Sequence, residues 1–122
     1  MKKSLIFRPV SFRHALAGWY YLFRTQPNAW VHLAATFAVI TISLVLGLDS
    51  LKIAVLVATI AIVWLAETIN TSIETLVDLT CPQQHPLAKI VKDVSAGAVL
   101  FAASFSVVIG CILLVPPLLS LF

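Results

Sequence analysis

Charge is what this sequence has least of. Only 11% of its 122 residues are Asp, Glu, Lys or Arg, against about 25% in an average soluble domain. Hydrophobic residues make up 61% and the mean hydropathy is +1.04. A globule this small cannot hide so much apolar surface, because small domains have the least interior per unit surface. Lipid is the solvent that resolves the mismatch. Glycine is scarce too: four residues, with no GxxxxGK[ST] or GxGxxG run, so a glycine loop cradling phosphate is excluded, and HExxH is also absent. The two cysteines, Cys81 and Cys111, lack CxxC spacing and read as separate thiols, with neither a disulfide nor a metal site between them. Lys and Arg form no stripe interleaved with aromatics, so nucleic acid is not the partner. The start resembles a leader, but Arg8-Pro9 cuts the apolar run Leu5-Ile6-Phe7 too early for one, and nothing suggests that it is removed.

What is present is long apolar runs. Three have the length a bilayer demands, about 20 residues for a helix crossing about 30 Å of hydrocarbon. They run from Ala29 to Leu48, from Leu51 through Ala66 into a more polar continuation, and from about Val94 to Val115, where Pro116-Pro117 marks a stop. Before them, Phe12, Leu16, Trp19 and Phe23 recur on one face of Ser11–Arg24, which reads as a helix lying along the interface. Pro27 is placed to start the first span. Ala98, Ala102, Ser106 and Gly110 form a small-residue stripe suited to close helix packing in lipid. The expected fold is all-α: one membrane domain over residues 1–122, with three transmembrane helices and an amphipathic surface helix.

Orientation follows from the basic residues. Lys2, Lys3, Arg8, Arg13 and Arg24 precede the first span, Lys89 and Lys92 follow the second, and only Lys52 falls in the opposite loop. The N-terminus and the 80–93 connection are therefore expected in the cytoplasm.

The acidic residues need a separate account. Four of the five fall between Glu67 and Asp93. Glu67, Asn70, Thr71, Glu74 and Asp78 project into an arc of roughly 100° on one helix face. A charge near the membrane centre costs at least about 2.5 kcal/mol, so Glu67, after sixteen mostly apolar residues, calls for a function. Glu67 suits a base that accepts a hydroxyl proton. Glu74 suits magnesium, which commonly uses one or two carboxylates plus substrate phosphates. Asn70 could orient a phosphate oxygen or the metal shell. The segment His85-Pro86-Leu87-Ala88-Lys89-Ile90-Val91-Lys92-Asp93 supplies the complement: Pro86 would start a helix, and Lys92 can offset the charge of a transferred phosphate. Two other readings stand beside phosphoryl transfer: a small transporter carrying protons on Glu67, and a catalytically silent membrane scaffold.

Two separated blocks carry a specific resemblance. Glu67-Thr68-Ile69-Asn70-Thr71-Ser72-Ile73-Glu74 with Val77-Asp78, and His85-Pro86-Leu87-Ala88-Lys89 with Lys92-Asp93 and Ser95–Val99, resemble the small prokaryotic lipid kinases that include diacylglycerol kinase and undecaprenol kinase. The HPLAK block and the AGAV run look closer to the undecaprenol kinase branch. The resemblance covers nearly the whole chain. It implies a homotrimer in the prokaryotic inner membrane, with active sites shared between protomers, ATP as phosphoryl donor, Mg2+, and a lipid alcohol as acceptor. It assigns Glu67 as catalytic carboxylate, and Glu74 as metal ligand. Asn70, Asp78, His85, Lys92 and Asp93 fall at polar positions around the nucleotide. Gln26 stands where the family often has a second metal-binding glutamate, and His14 where the diacylglycerol kinase branch has a tyrosine near adenine; both are departures.

Overall fold

A computed structural model describes residues 9–122, which form four helices and no strand among the described residues: α1 (Pro9–Thr25), α2 (Pro27–Val45), α3 (Ser50–Thr80) and α4 (Pro86–Leu119). Lys2, Lys3 and Arg8, which entered the orientation argument, and the leader-like start lie outside the described residues. Helices α2, α3 and α4 are each long and apolar enough to cross a membrane.

Two X-Pro steps set the breaks in the chain. A residue before proline is pushed out of the α region by the ring. Gln26, before Pro27, accordingly sits at φ −113°, ψ 104°, and His85, before Pro86, at φ −134°, ψ 134°. Each proline then opens the next helix, where its missing N–H costs nothing. The α2–α3 turn is a Schellman closure. Gly47 takes φ 62°, its N–H bonds Leu44 O, and the Leu48 N–H reaches back to Ser43 O. Asp49 then caps α3, its Oδ1 accepting from the Lys52 N–H at 3.0 Å.

Two boundaries differ from the sequence expectation. The Pro86 helix and the third span are one continuous helix of 34 residues. It also runs through Pro116 and Pro117 to Leu119. Proline's fixed φ is itself helical, and the bonds it forfeits are tolerable in a last turn, so the pair ends the helix a few residues late.

Helix lengths position the site. At 1.5 Å per residue, α2 spans about 28 Å, whereas α3 and α4 span about 46 and 51 Å. The last two overrun about 30 Å of hydrocarbon by several turns; counted from Ser50, Glu74 and Asp78 fall in the overrun of α3, while Glu67 stays within the span. The longest packing seam is between α3 and α4. Buried on α3 are Leu56, Thr59, Val63, Glu67, Asn70 and Thr71, and on α4 Ser95 and Val99. Of the small-residue stripe, Ala102, Ser106 and Gly110 are half-buried along the continuation of that α4 face, while Ala98 is exposed. A Cβ at Gly110 would meet nothing within 4 Å, so no other helix among the described residues approaches closely there.

An aromatic cluster ties α1 down. Trp19 lies 5.3 Å from Trp64, and Phe23 lies 5.2 Å from Trp30 and 5.7 Å from Trp64. Indole N–H groups are satisfied as well: Trp30 donates to Phe23 O and Trp64 to Thr36 Oγ1, both at 3.1 Å. Of the face expected to be apolar, Phe23 is half-buried and Trp19 touches Trp64 while remaining 40% exposed; Phe12 and Leu16 are more exposed still.

Candidate functional site

The seam that holds α3 to α4 also carries the acids. Glu67, Asn70 and Glu74 follow one another at helical spacing, so all three turn toward the other membrane helices. Glu67 is 1% exposed, Asn70 is buried and Glu74 is half-buried. Thr71 is buried too, but its hydroxyl donates to Glu67 O at 2.9 Å and is spent on its own helix.

Gln26 reaches this group from α2. As the extended residue ahead of Pro27, it makes no side-chain cap, and its amide is free to cross to α3. Its Nε2–H donates to Glu74 Oε2 at 3.2 Å, while Asn70 Nδ2–H donates to Glu74 Oε1 at 3.1 Å. Asn70 in turn accepts at Oδ1 from the Ser95 hydroxyl on α4. Three helices are thereby linked through one half-buried carboxylate. A cleft of about 260 Å³ opens here, lined by Gln26, His32, Glu67, Asn70 and Glu74 with Val99 and its neighbours on α4.

Glu67 stands apart within that cleft. Neither carboxylate oxygen has a hydrogen-bond partner among the described residues, and the nearest polar neighbour is His32 Nε2, 3.5 Å from Oε2. A buried acceptor without a donor costs about 1–3 kcal/mol. Nothing in the packing requires a carboxylate there. A hydroxyl entering the cleft would relieve the cost, once the carboxyl turned to meet it.

A second, larger cleft of about 790 Å³ lies at the α3–α4 turn, lined by Asp78, His85, Lys89, Lys92 and Asp93 among others. Lys92 pairs with Asp78 across the helices, and Lys89 pairs with Asp93 one turn along α4. His85 caps α4, its Nδ1 accepting from the Leu87 N–H at 3.2 Å, which leaves the ring proton on Nε2.

The candidates therefore fall into two neighbouring groups. Glu67, Asn70, Glu74 and Gln26 share the inner cleft; Asp78, His85, Lys92 and Asp93 share the outer one. Lys92 faces Asp78, which follows Glu74 by one helical turn, about 6 Å of rise. His14 is exposed on α1 and lines neither cleft. His32 and Ser95 are additions to the expected set. Spacing along one helix could not find them, because each meets α3 from a different helix.

Magnesium fits the inner cleft sparingly. Among the described residues no three His, Cys, Asp or Glu side chains converge as a metal cage. Glu74 offers carboxylate oxygens, and rotation of the Gln26 amide would exchange its Nε2 for an oxygen. That small donor set suits an ion that keeps water and takes its other ligands from phosphates.

Relatives give these residues a family. The sequence profile described as prokaryotic diacylglycerol kinase matches residues 13–114, covering both clefts. A protein of Synechocystis sp. named diacylglycerol kinase is 50% identical over 113 residues, 92% of this chain and 65% of its own length. The chain thus spans just under two thirds of that relative. Undecaprenol kinase of Bacillus subtilis is 37% identical over 108 residues, 88% of each chain. Diacylglycerol kinase of Escherichia coli is 30% identical over 93 residues, 70% of this chain and 76% of the relative. These names fall on both branches, and they do not carry the sequence-based preference for undecaprenol. The chain belongs to the prokaryotic diacylglycerol kinase family, a family of membrane lipid kinases.

Proposed function

We propose that this protein transfers the γ-phosphate of ATP to the hydroxyl of a membrane lipid alcohol at the cytoplasmic surface. The observation that carries this reading is the Glu67 carboxylate, buried without a donor in the cleft that also holds the Glu74–Gln26 pair. Glu67 accepts the hydroxyl proton as the oxygen attacks the γ-phosphorus and the bond to the β–γ bridging oxygen breaks, with ADP as the leaving group. Asn70 holds Glu74 in place through Oε1, and Ser95 fixes Asn70. Glu74 and Gln26 would hold Mg2+, which neutralises charge on the phosphates when bound. A polyphosphate extending from the inner to the outer cleft would draw Lys92 from Asp78 onto its own charge, and the two clefts then serve one nucleotide.

The exposed apolar faces of α2, α3 and α4 support lipid contact and a homotrimer with shared sites. Undecaprenol is favoured by the HPLAK and AGAV segments and diacylglycerol by the name of the 50% identical relative. The chemistry common to both is a primary lipid alcohol at headgroup depth.

The test is phosphate transfer from γ-labelled ATP by purified protein in mixed micelles, with diacylglycerol and undecaprenol offered under matched conditions. Magnesium-dependent labelling of either lipid, lost in Glu67→Gln, is the expected result. Absence of transfer to both by folded protein, or full turnover by Glu67→Gln, would overturn the reading.

A further inference from the structure

His32 lines the inner cleft and has no part in the transfer as described. His32, on the second turn of α2, brings Nε2 to 3.5 Å from Glu67 Oε2. That nitrogen is buried and, like both oxygens of Glu67, makes no hydrogen bond among the described residues. Two complementary groups thus face each other across α2 and α3, each without another partner.

The ring is held where it is. Its edge meets Trp64, with ring centroids 6.1 Å apart and planes at 70°. Trp64 Nε1–H donates to Thr36 Oγ1, and that hydroxyl donates at 2.7 Å to the backbone carbonyl of His32. Trp64 therefore fixes both the imidazole and the helical turn that bears it. From α4 the cleft receives only Ala96, Val99, Leu100 and Ala103, none of which can bond to the imidazole.

We infer that His32 is a positioning residue for the transfer, its Nε2–H donating to Glu67 Oε2 so that Oε1 is left for the lipid hydroxyl. An imidazole nitrogen facing a carboxylate bonds to it only as a donor, which sets the tautomer. A carboxylate held by one oxygen presents the other in a fixed direction, and proton transfer depends on that direction. The inference rests on Glu67 being the base.

The experiment compares His32→Leu, His32→Gln and Glu67→Gln in the full chain in detergent. His32→Leu should lower kcat at least ~10-fold while the KM for ATP changes less than about 2-fold. His32→Gln, whose amide keeps an N–H donor, should recover most of that loss. A readout independent of turnover is 15N NMR of histidine-labelled protein, in which Glu67→Gln should shift the His32 Nε2 resonance and leave those of His14 in place. Wild-type kcat in His32→Leu, equal losses in the Leu and Gln variants, or an unmoved His32 resonance would each overturn the inference. Full turnover in Glu67→Gln would instead remove the base itself, so the two failures are distinguishable.

Discussion

Glu74 shows how much one residue can concentrate. It receives Gln26 from α2 and Asn70 from its own helix, and Asn70 passes the link to Ser95 on α4. Replacing Asn70 with Ala strips a partner from Glu74 and from the buried Ser95 hydroxyl together. The expected cost is about 1–3 kcal/mol, read as a lower midpoint in denaturant titration of the purified protein. Gln26 raises a different question, since an amide oxygen coordinates magnesium without contributing charge. Gln26→Glu should lower the magnesium concentration giving half-maximal turnover, severalfold if the carboxylate reaches the ion beside Glu74. An unchanged magnesium dependence would mean that Gln26 is not at the metal. His85 shows the opposite case, a residue expected beside the nucleotide whose Nδ1 is engaged in capping α4. Only its Nε2 remains to meet a ligand.

Among the elements, α3 is the one whose two ends do different work. Its first turn is held by Asp49, whose carboxyl is kept below the usual carboxylate range chiefly by the Lys52 backbone N–H it accepts. A depressed folded-state value means the cap adds stability above the unfolded value, and loses it as pH falls through the folded one. Asp49→Ala should therefore lower the thermal midpoint at pH 7, with the difference from wild type shrinking in acid. A gap that stayed constant down to pH 3 would contradict this. The other end of α3 carries Glu67 near the edge of the hydrocarbon and Glu74 and Asp78 beyond it, and α1 is clamped beside it by the aromatics. Trp64 touches Trp19, Phe23 and His32. Trp64→Ala should loosen α1, seen as faster proteolysis between residues 9 and 25, and lower kcat through His32 as well. The α1 stripe of Phe12, Leu16, Trp19 and Phe23 was legible from its period. Which part of it meets other aromatics was not, since that depends on where Trp64 and Trp30 arrive.

Across the whole molecule, the orientation proposed from charge can be measured directly. Single cysteines at Gln83 and Ser50, with Cys81 and Cys111 replaced by Ala, should label from opposite sides of sealed vesicles with an impermeant maleimide. Gln83→Cys should react from the cytoplasmic side; the reverse pattern would invert the topology. Crosslinking in mild detergent should give trimers and no larger species, matching the apolar surface that a single chain leaves uncovered. The sequence alone determined that the chain spans a membrane, that it does so three times, and that its acids share one helix face. Composition and period carry that information, because an apolar run long enough to cross and a 3.6-residue repeat are local properties of the chain. Only the tertiary structure decided that the candidates divide between two clefts, that Lys92 meets Asp78, and that His32 meets Glu67. Those pairings join residues from separate helices, whose rotation about their axes is set by packing at the α3–α4 seam and the Trp64 cluster.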